Sequence, residues 1–314
     1  METRTFAIDM PTPFRGVTRR EGMLLRGSQG WGEFSPFLDY GHDECAAWLR
    51  AARESADLPY PEPVRDRIPV NSIVPAVTPD RAAQIAIDAG CSTVKIKVAA
   101  AGESLGQDLA RVAAVREALP DARIRVDANG GWDLRTAAKA VAKLDDLVGL
   151  EYVEQPCASV EDLAAMRRET SVPVAADESI RRASDPFRVR DLEAADIAVL
   201  KVQPLGGVRA ALRIAKQIGI PVVVSSAVET SIGLAAGVAL AAALPHLPYA
   251  CGLGTAFLLD GDVVAEPLTP VHGFLPVTRP DLDEAAFAKV EANEEIADRW
   301  ASRLQHVEDL AIDG

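Results

Sequence analysis

From about residue 70 onward the chain repeats one pattern. A short apolar run is followed by a polar turn and an amphipathic stretch, at intervals of about 25 residues. The strand readings are 70–74, 93–98, 123–127, 150–154, 172–176, 197–201, 221–225 and a last short one at 248–252. Helices are expected over 79–89, 105–119, 134–147, 160–169, 186–192, 208–218 and 231–243. Thr78 before Pro79, and Ser159 before Glu161 and Asp162, read as helix starts, whereas Gly90 and Pro120 read as stops. The runs 172–176 and 221–225 are apolar without alternation, as strands covered on both faces are. Seven or eight such units are the signature of a (β/α) barrel. The rival, a doubly wound open sheet, favours a glycine-rich turn after its first strand, and none is present.

The flanks are different in kind. Residues 1–67 carry a hairpin-like stretch around 15–33, a helix around 43–56 and a proline-rich linker at 58–63. After Pro267 the rhythm is lost, and the chain ends in a charged helix expected over 284–310. The expected fold class is therefore α/β, a modified (β/α)8-type barrel over 68–267. An α+β capping domain would be formed from the N-terminal region, 1–67, and the C-terminal segment, 268–314. The segment 11–18, with Pro11, Pro13 and Gly16, is the expected loop over the substrate.

Composition excludes several function classes. The formal net charge is -13 with no basic run to offset it, so nucleic acid is not an expected partner. The longest apolar stretch, 232–244, is too short to span a bilayer, so no membrane partner is expected. The start of the chain lacks an apolar leader segment. Cys45, Cys91, Cys157 and Cys251 are dispersed, which suits idle thiols in a reducing cytosol rather than a zinc knuckle or disulfide framework. A cytoplasmic enzyme is the expectation.

Five consecutive strands end in ionisable residues: Lys95 and Lys97, then Arg125, Asp127 and Asn129, then Glu154, then Asp177, then Lys201. In a barrel these ends meet at one rim. Residues two apart share a strand face, so Lys95 and Lys97 point the same way, as do Asp127 and Asn129. Asp127, Glu154 and Asp177 are three hard oxygen donors that suit Mg²⁺, with Mn²⁺ as a substitute. Such a metal would bind a substrate carboxylate and hold the charge that develops when its α-proton leaves. Lys97 and Lys201 reach in from opposite sides, and Lys95 disfavours a second positive charge on Lys97. Singly, each residue reads as a solvated loop charge, and Lys95 with Lys97 as an edge-strand guard. The array in register, at steps of 23 to 30 residues, does not.

On these motifs, and on Gly30-Trp-Gly-Glu33-Phe-Ser-Pro36, the chain resembles the enolase superfamily. It is most similar to the muconate-cycloisomerase-like, lysine–lysine branch that holds the o-succinylbenzoate synthases. The resemblance implies Asp127, Glu154 and Asp177 as metal ligands, Lys97 as general base and then acid, and Lys201 as the cation that stabilises an enediolate. It implies that Lys95 tunes Lys97, that Arg125 and Asn129 line the site, and that Ser226 and Gly252 lie in loops holding the substrate's arm. A small-molecule carboxylate is the implied substrate, dehydrated on the way to menaquinone. N-Succinylamino-acid racemases and muconate cycloisomerases share the lysines and remain alternatives, as does a non-catalytic barrel binding protein. Dipeptide epimerases carry an Asp-x-Asp late in the barrel, where this chain has Cys251-Gly-Leu-Gly254-Thr255. His42, His246, His272 and His306 lie away from the strand ends, against a histidine base.

Overall fold

The computed structural model describes residues 2–14, 16–182 and 185–312. Arg15, within the segment expected to close over the substrate, lies outside them.

The cap begins with a meander, β1 (Thr3–Phe14), β2 (Val17–Gly27) and β3 (Gly30–Phe34), antiparallel throughout. Helix α1 (His42–Asp57) packs on β3 and buries Trp48 and Leu49. The barrel strands are β5 (Ser72–Val74), β6 (Thr93–Lys97), β7 (Arg123–Asp127), β8 (Leu150–Glu154), β9 (Val174–Ala176), β10 (Ile197–Leu200) and β11 (Val222–Val224), hydrogen-bonded in chain order and parallel. The eighth position is a two-residue seam. Cys251 bonds to the backbone of Pro69 and Asn71, and Gly252 bonds to Val224 and Ser226, closing the ring. Outside lie α2 (Pro79–Asp88), α3 (Leu105–Ala118), α4 (Leu134–Val148), α5 (Val160–Glu169), α6 (Glu178–Arg181), α7 (Arg188–Asp191), α8 (Val208–Ile218) and α9 (Ser231–Ala243). A ladder of β4 (Arg67–Pro69) with β12 (Phe274–Pro276) follows the barrel, then α10 (Glu284–Phe287) and α11 (Glu294–Ile312).

Local chemistry explains these bounds. Asp133 accepts from Thr136 N at 2.8 Å and starts α4, which Gly149 ends at φ 63°. Ser159 caps α5 through Asp162 N at 3.0 Å. Each such cap contributes about 1 kcal/mol. Helix α9 is apolar on all sides, and 12 of its 13 residues are buried. Strand alternation sorts the rest. Val94 and Ile96, Ile124 and Val126, Ala198 and Leu200 face the helices in the main core. Tyr152, Ala175, Ile197, Val199 and Val223 fill the ring's interior. By the same period the alternate residues Lys95, Lys97, Arg125, Asp127 and Glu154 point inward.

Two expectations are corrected. The segment 11–18, expected as a loop, is strand in its first part: β1 pairs with β2 from Thr3 to Asp9 and again at Phe14, and Pro11 and Pro13 fall where the register shifts. The single helix expected over 284–310 is two helices. Between them Val290 and Ala292 pair with Ala7 and Thr5 of β1, so tertiary pairing overrides helical propensity. Helix α11 then packs on α1, so both ends of the chain build the cap. Among the described residues, no helix is long and apolar enough to cross a membrane.

Candidate active site

The inward charges meet at the C-terminal rim of β6 to β10. Lys95 Nζ lies 3.0 and 2.9 Å from the two oxygens of Glu154 and 3.6 Å from Asp127 Oδ2. Lys97 Nζ contacts that same Asp127 oxygen at 2.5 Å and Asn129 Oδ1 at 2.6 Å. Lys201 Nζ lies 2.7 Å from Asp177 Oδ2, while Arg181 Nε holds the other oxygen at 2.9 Å. Asn129, at φ 47°, hands its amide on to Glu178 Oε1 at 3.1 Å. All three carboxylates and all three lysines are at least nine-tenths buried.

Charges this deep perturb one another. Burial alone would raise the Asp127 carboxyl, but the ammonium groups of Lys97 and Lys95 hold it well below the usual carboxylate range. Asp177 is likewise held down, against burial, by Arg181 and Lys201. Glu154 goes the other way, to about 7. Its burial and the like charge of Asp127 outweigh the pairing with Lys95. Lys95 is pushed up: burial opposes its charge, but Glu154 and Asp127 more than compensate.

Lys95, Lys97, Asp127 and Lys201 open on one narrow pocket of about 20 Å³. Its far wall is the loop Ser225–Ser226–Ala227–Val228 with Thr255, and Phe14 and Phe37 of the cap cover it. The Phe14 ring centre lies 5.0 Å from Lys97 Nζ. Ser226 Oγ bonds to Thr255 Oγ1 at 2.8 Å. A larger cleft of about 870 Å³ lies in the cap between β1, β2 and α11, and shares Phe37 with the lysine pocket. We place the chemistry in the smaller cavity, because the buried amines and acids are there.

The structure thus brings together Lys95, Lys97, Asp127, Asn129, Glu154, Asp177, Lys201 and Ser226. Arg125 does not reach the rim, and Gly252 lies behind the pocket wall, where its carbonyl accepts from Ser226 N at 3.0 Å. Arg125 sits a strand repeat below Asp127, inside the ring, bonded to Glu151, Asn71 and the Ala250 carbonyl and stacked on Tyr152 at 4.5 Å. Gly252 is in the seam, where an added Cβ would come within 2.5 Å of Ser225 Oγ. Sequence reasoning missed Arg181, whose one signal is its place four residues after Asp177. It did not single out Phe14, at the end of β1 within the segment 11–18 expected over the substrate, or Phe37, in the loop after β3, because neither side chain is charged. The histidines stand apart, His42 and His306 stacked with each other on the cap.

Among the described residues, no three His, Cys, Asp or Glu side chains are already drawn into a coordination shell. Each rim carboxylate is turned toward an ammonium or guanidinium instead. The donor chemistry nonetheless fits a hard divalent cation: three buried carboxylates from adjacent strands, with no histidine or cysteine lining the pocket.

Two family models match the chain, Enolase N-terminal domain-like over residues 5–56 and Enolase C-terminal domain-like over 79–281. The chain is 62% identical to the o-succinylbenzoate synthase of Thermobifida fusca, covering 97% of this chain and 95% of that one. It is 52% identical to the o-succinylbenzoate synthase of Mycolicibacterium smegmatis, over 95% and 92%. In fold it is similar to the muconate lactonizing enzyme of Pseudomonas fluorescens (TM-score 0.77, 24% identity, 93% and 98% covered). The N-succinyl Arg/Lys racemase of Bacillus cereus is similar too (TM-score 0.77, 20% identity, 93% and 97%).

Proposed function

Because the chain belongs to the o-succinylbenzoate synthase family of the enolase superfamily, we propose that its lysine pocket converts 2-succinyl-6-hydroxy-2,4-cyclohexadiene-1-carboxylate to o-succinylbenzoate and water, in menaquinone biosynthesis. The enzyme is a hydro-lyase. The observation that carries this reading is the convergence of Lys97 and Lys201 on one pocket backed by three buried carboxylates.

Lys97, neutral at the start, takes the proton on the carbon next to the substrate carboxylate. Lys95, on the same strand face, favours that neutral form by like-charge repulsion. Lys201 stays charged and stabilises the dianion from the other side. The carbon–oxygen bond then breaks, a carbon–carbon double bond forms, and Lys97 returns its proton to the departing hydroxyl on the same face as water. Phe14 and Phe37 keep solvent from the intermediate.

Enolase-superfamily members use a divalent metal. Here Asp127, Glu154 and Asp177 would hold Mg²⁺, which when bound supplies Lewis-acid stabilisation of the substrate carboxylate and takes over the charge of the rim acids from the lysines. Ser226 would contact the succinyl arm. The absence of acids over 251–255 disfavours a dipeptide epimerase. We assign residues 68–267 to the barrel, 1–67 and 268–314 to the cap, and the enzyme to the cytosol.

The test is a side-by-side assay of the purified protein with Mg²⁺. It is given the hydroxycyclohexadiene carboxylate and, separately, an N-succinylamino acid of one hand. Formation of the aromatic product is expected; racemisation alone would refute the assignment.

A further inference from the structure

A second buried charge cluster lies at the junction of cap and barrel, outside the rim. Glu33, on β3, is buried in the junction, and four donors point at its carboxylate. Ser35 Oγ lies at 2.6 Å. The others come from the barrel: Thr230 N at 3.0 Å, Thr230 Oγ1, and Gly233 N at 3.1 Å. These are the cap residue and first turn of α9, a helix with no acid of its own in that turn. Gly233 permits this approach, since an added Cβ would meet Glu33 Oε2 at 2.7 Å.

Arg20, on β2, grips the same loop one step earlier. Its Nε donates to the Val228 carbonyl at 3.0 Å, and its Nη2 donates to the Ser35 carbonyl at 2.7 Å. Val228 has φ 62°, a left-handed conformation that a β-branched residue adopts only under constraint. The segment that runs into these grips, Ser225 to Val228, is the wall of the lysine pocket. A buried carboxylate is a costly way to join two layers, and an apolar contact would do so more simply. A charge held by directional donors fixes a shape.

We propose that Arg20 and Glu33 are positioning residues, through which the cap holds the 225–230 wall in the strained form that receives the substrate's non-reacting arm. This rests on the reading of the lysine pocket as the site of dehydration. In Glu33→Gln, KM should rise about tenfold with kcat changed less than about threefold, the scale of losing one charge-assisted hydrogen bond. Backbone hydrogen exchange over 226–233 should speed up in the free enzyme, a readout that needs no substrate. Leu144→Val, buried on α4, which packs on α3, α5 and β8, should lower the melting temperature but move neither KM nor that exchange. If Glu33→Gln does not fold, Thr230→Val removes one donor and should move both readouts the same way by about threefold. Wild-type exchange over 226–233, or faster exchange with an unchanged KM, would overturn the proposal. If the wild-type enzyme itself fails to dehydrate, the pocket assignment falls, and the exchange data alone then decide whether the cap holds the wall.

Discussion

The molecule buries charge in two places, and by opposite means. At the rim, Asp127, Glu154 and Asp177 are matched mostly by amines on long flexible stems, Lys95, Lys97 and Lys201. At the cap junction, Glu33 is matched mostly by backbone N–H groups and short hydroxyls, Thr230, Gly233 and Ser35. A lysine can swing away and leave its carboxylate to another partner, whereas an amide cannot leave unless its loop moves. On the proposed function, the rim exchanges partners during turnover and the junction keeps them.

Substitutions should separate the two clusters. Lys97→Ala removes the proposed base and should lower kcat by about 10³-fold or more, measured by product formation, with the fold intact by circular dichroism. Asp177→Asn keeps shape but removes the charge of a proposed ligand and one ion-pair partner each of Lys201 and Arg181. Calorimetric Mg²⁺ affinity should fall by about 100-fold or more. Gly252→Ala places a methyl against Ser225 and should cost about 1–3 kcal/mol in urea denaturation, with Mg²⁺ affinity unchanged.

The smallest effect is a pH dependence peculiar to the junction. Burial raises Glu33 to about 7, opposed by its bonds from Ser35 and Thr230 and by Arg20, and assisted by Glu229. The folded pKa thus lies above the unfolded value of about 4.3. Stability from this group is fully present below about pH 4.3 and declines as pH rises through about 7. Denaturation series on wild type and Glu33→Gln should differ by that slope. Glu154 is shifted the same way but is present in both proteins, so it drops out of the difference. An identical slope in the two would show that Glu33 is not the titrating group.

The barrel was legible because its strands advertise themselves. Helices α5, α8 and α9 fall on the residues read from sequence, and inward charge at period two was enough to locate the rim. The cap was harder for physical reasons. Pro11 and Pro13 disguise the end of β1, and the break before Glu294 exists only because Val290 and Ala292 find β1 far away in sequence. Arg125 shares the inward face of Asp127, but period two says nothing of depth along the ring. The part played by Glu33 was invisible because its partners lie 197 and 200 residues further on.

The two-residue seam at Cys251 and Gly252 bears on how the chain is made. Until residue 252 leaves the ribosome, seven strands are a sheet with two raw edges, one of them the bare Val222–Val224 run. Such edges invite pairing with a neighbouring nascent chain. The chain from Cys251 onward serves as the clasp: it shuts the ring and then returns to brace the cap, so premature termination upstream of the seam should give aggregates rather than a smaller enzyme.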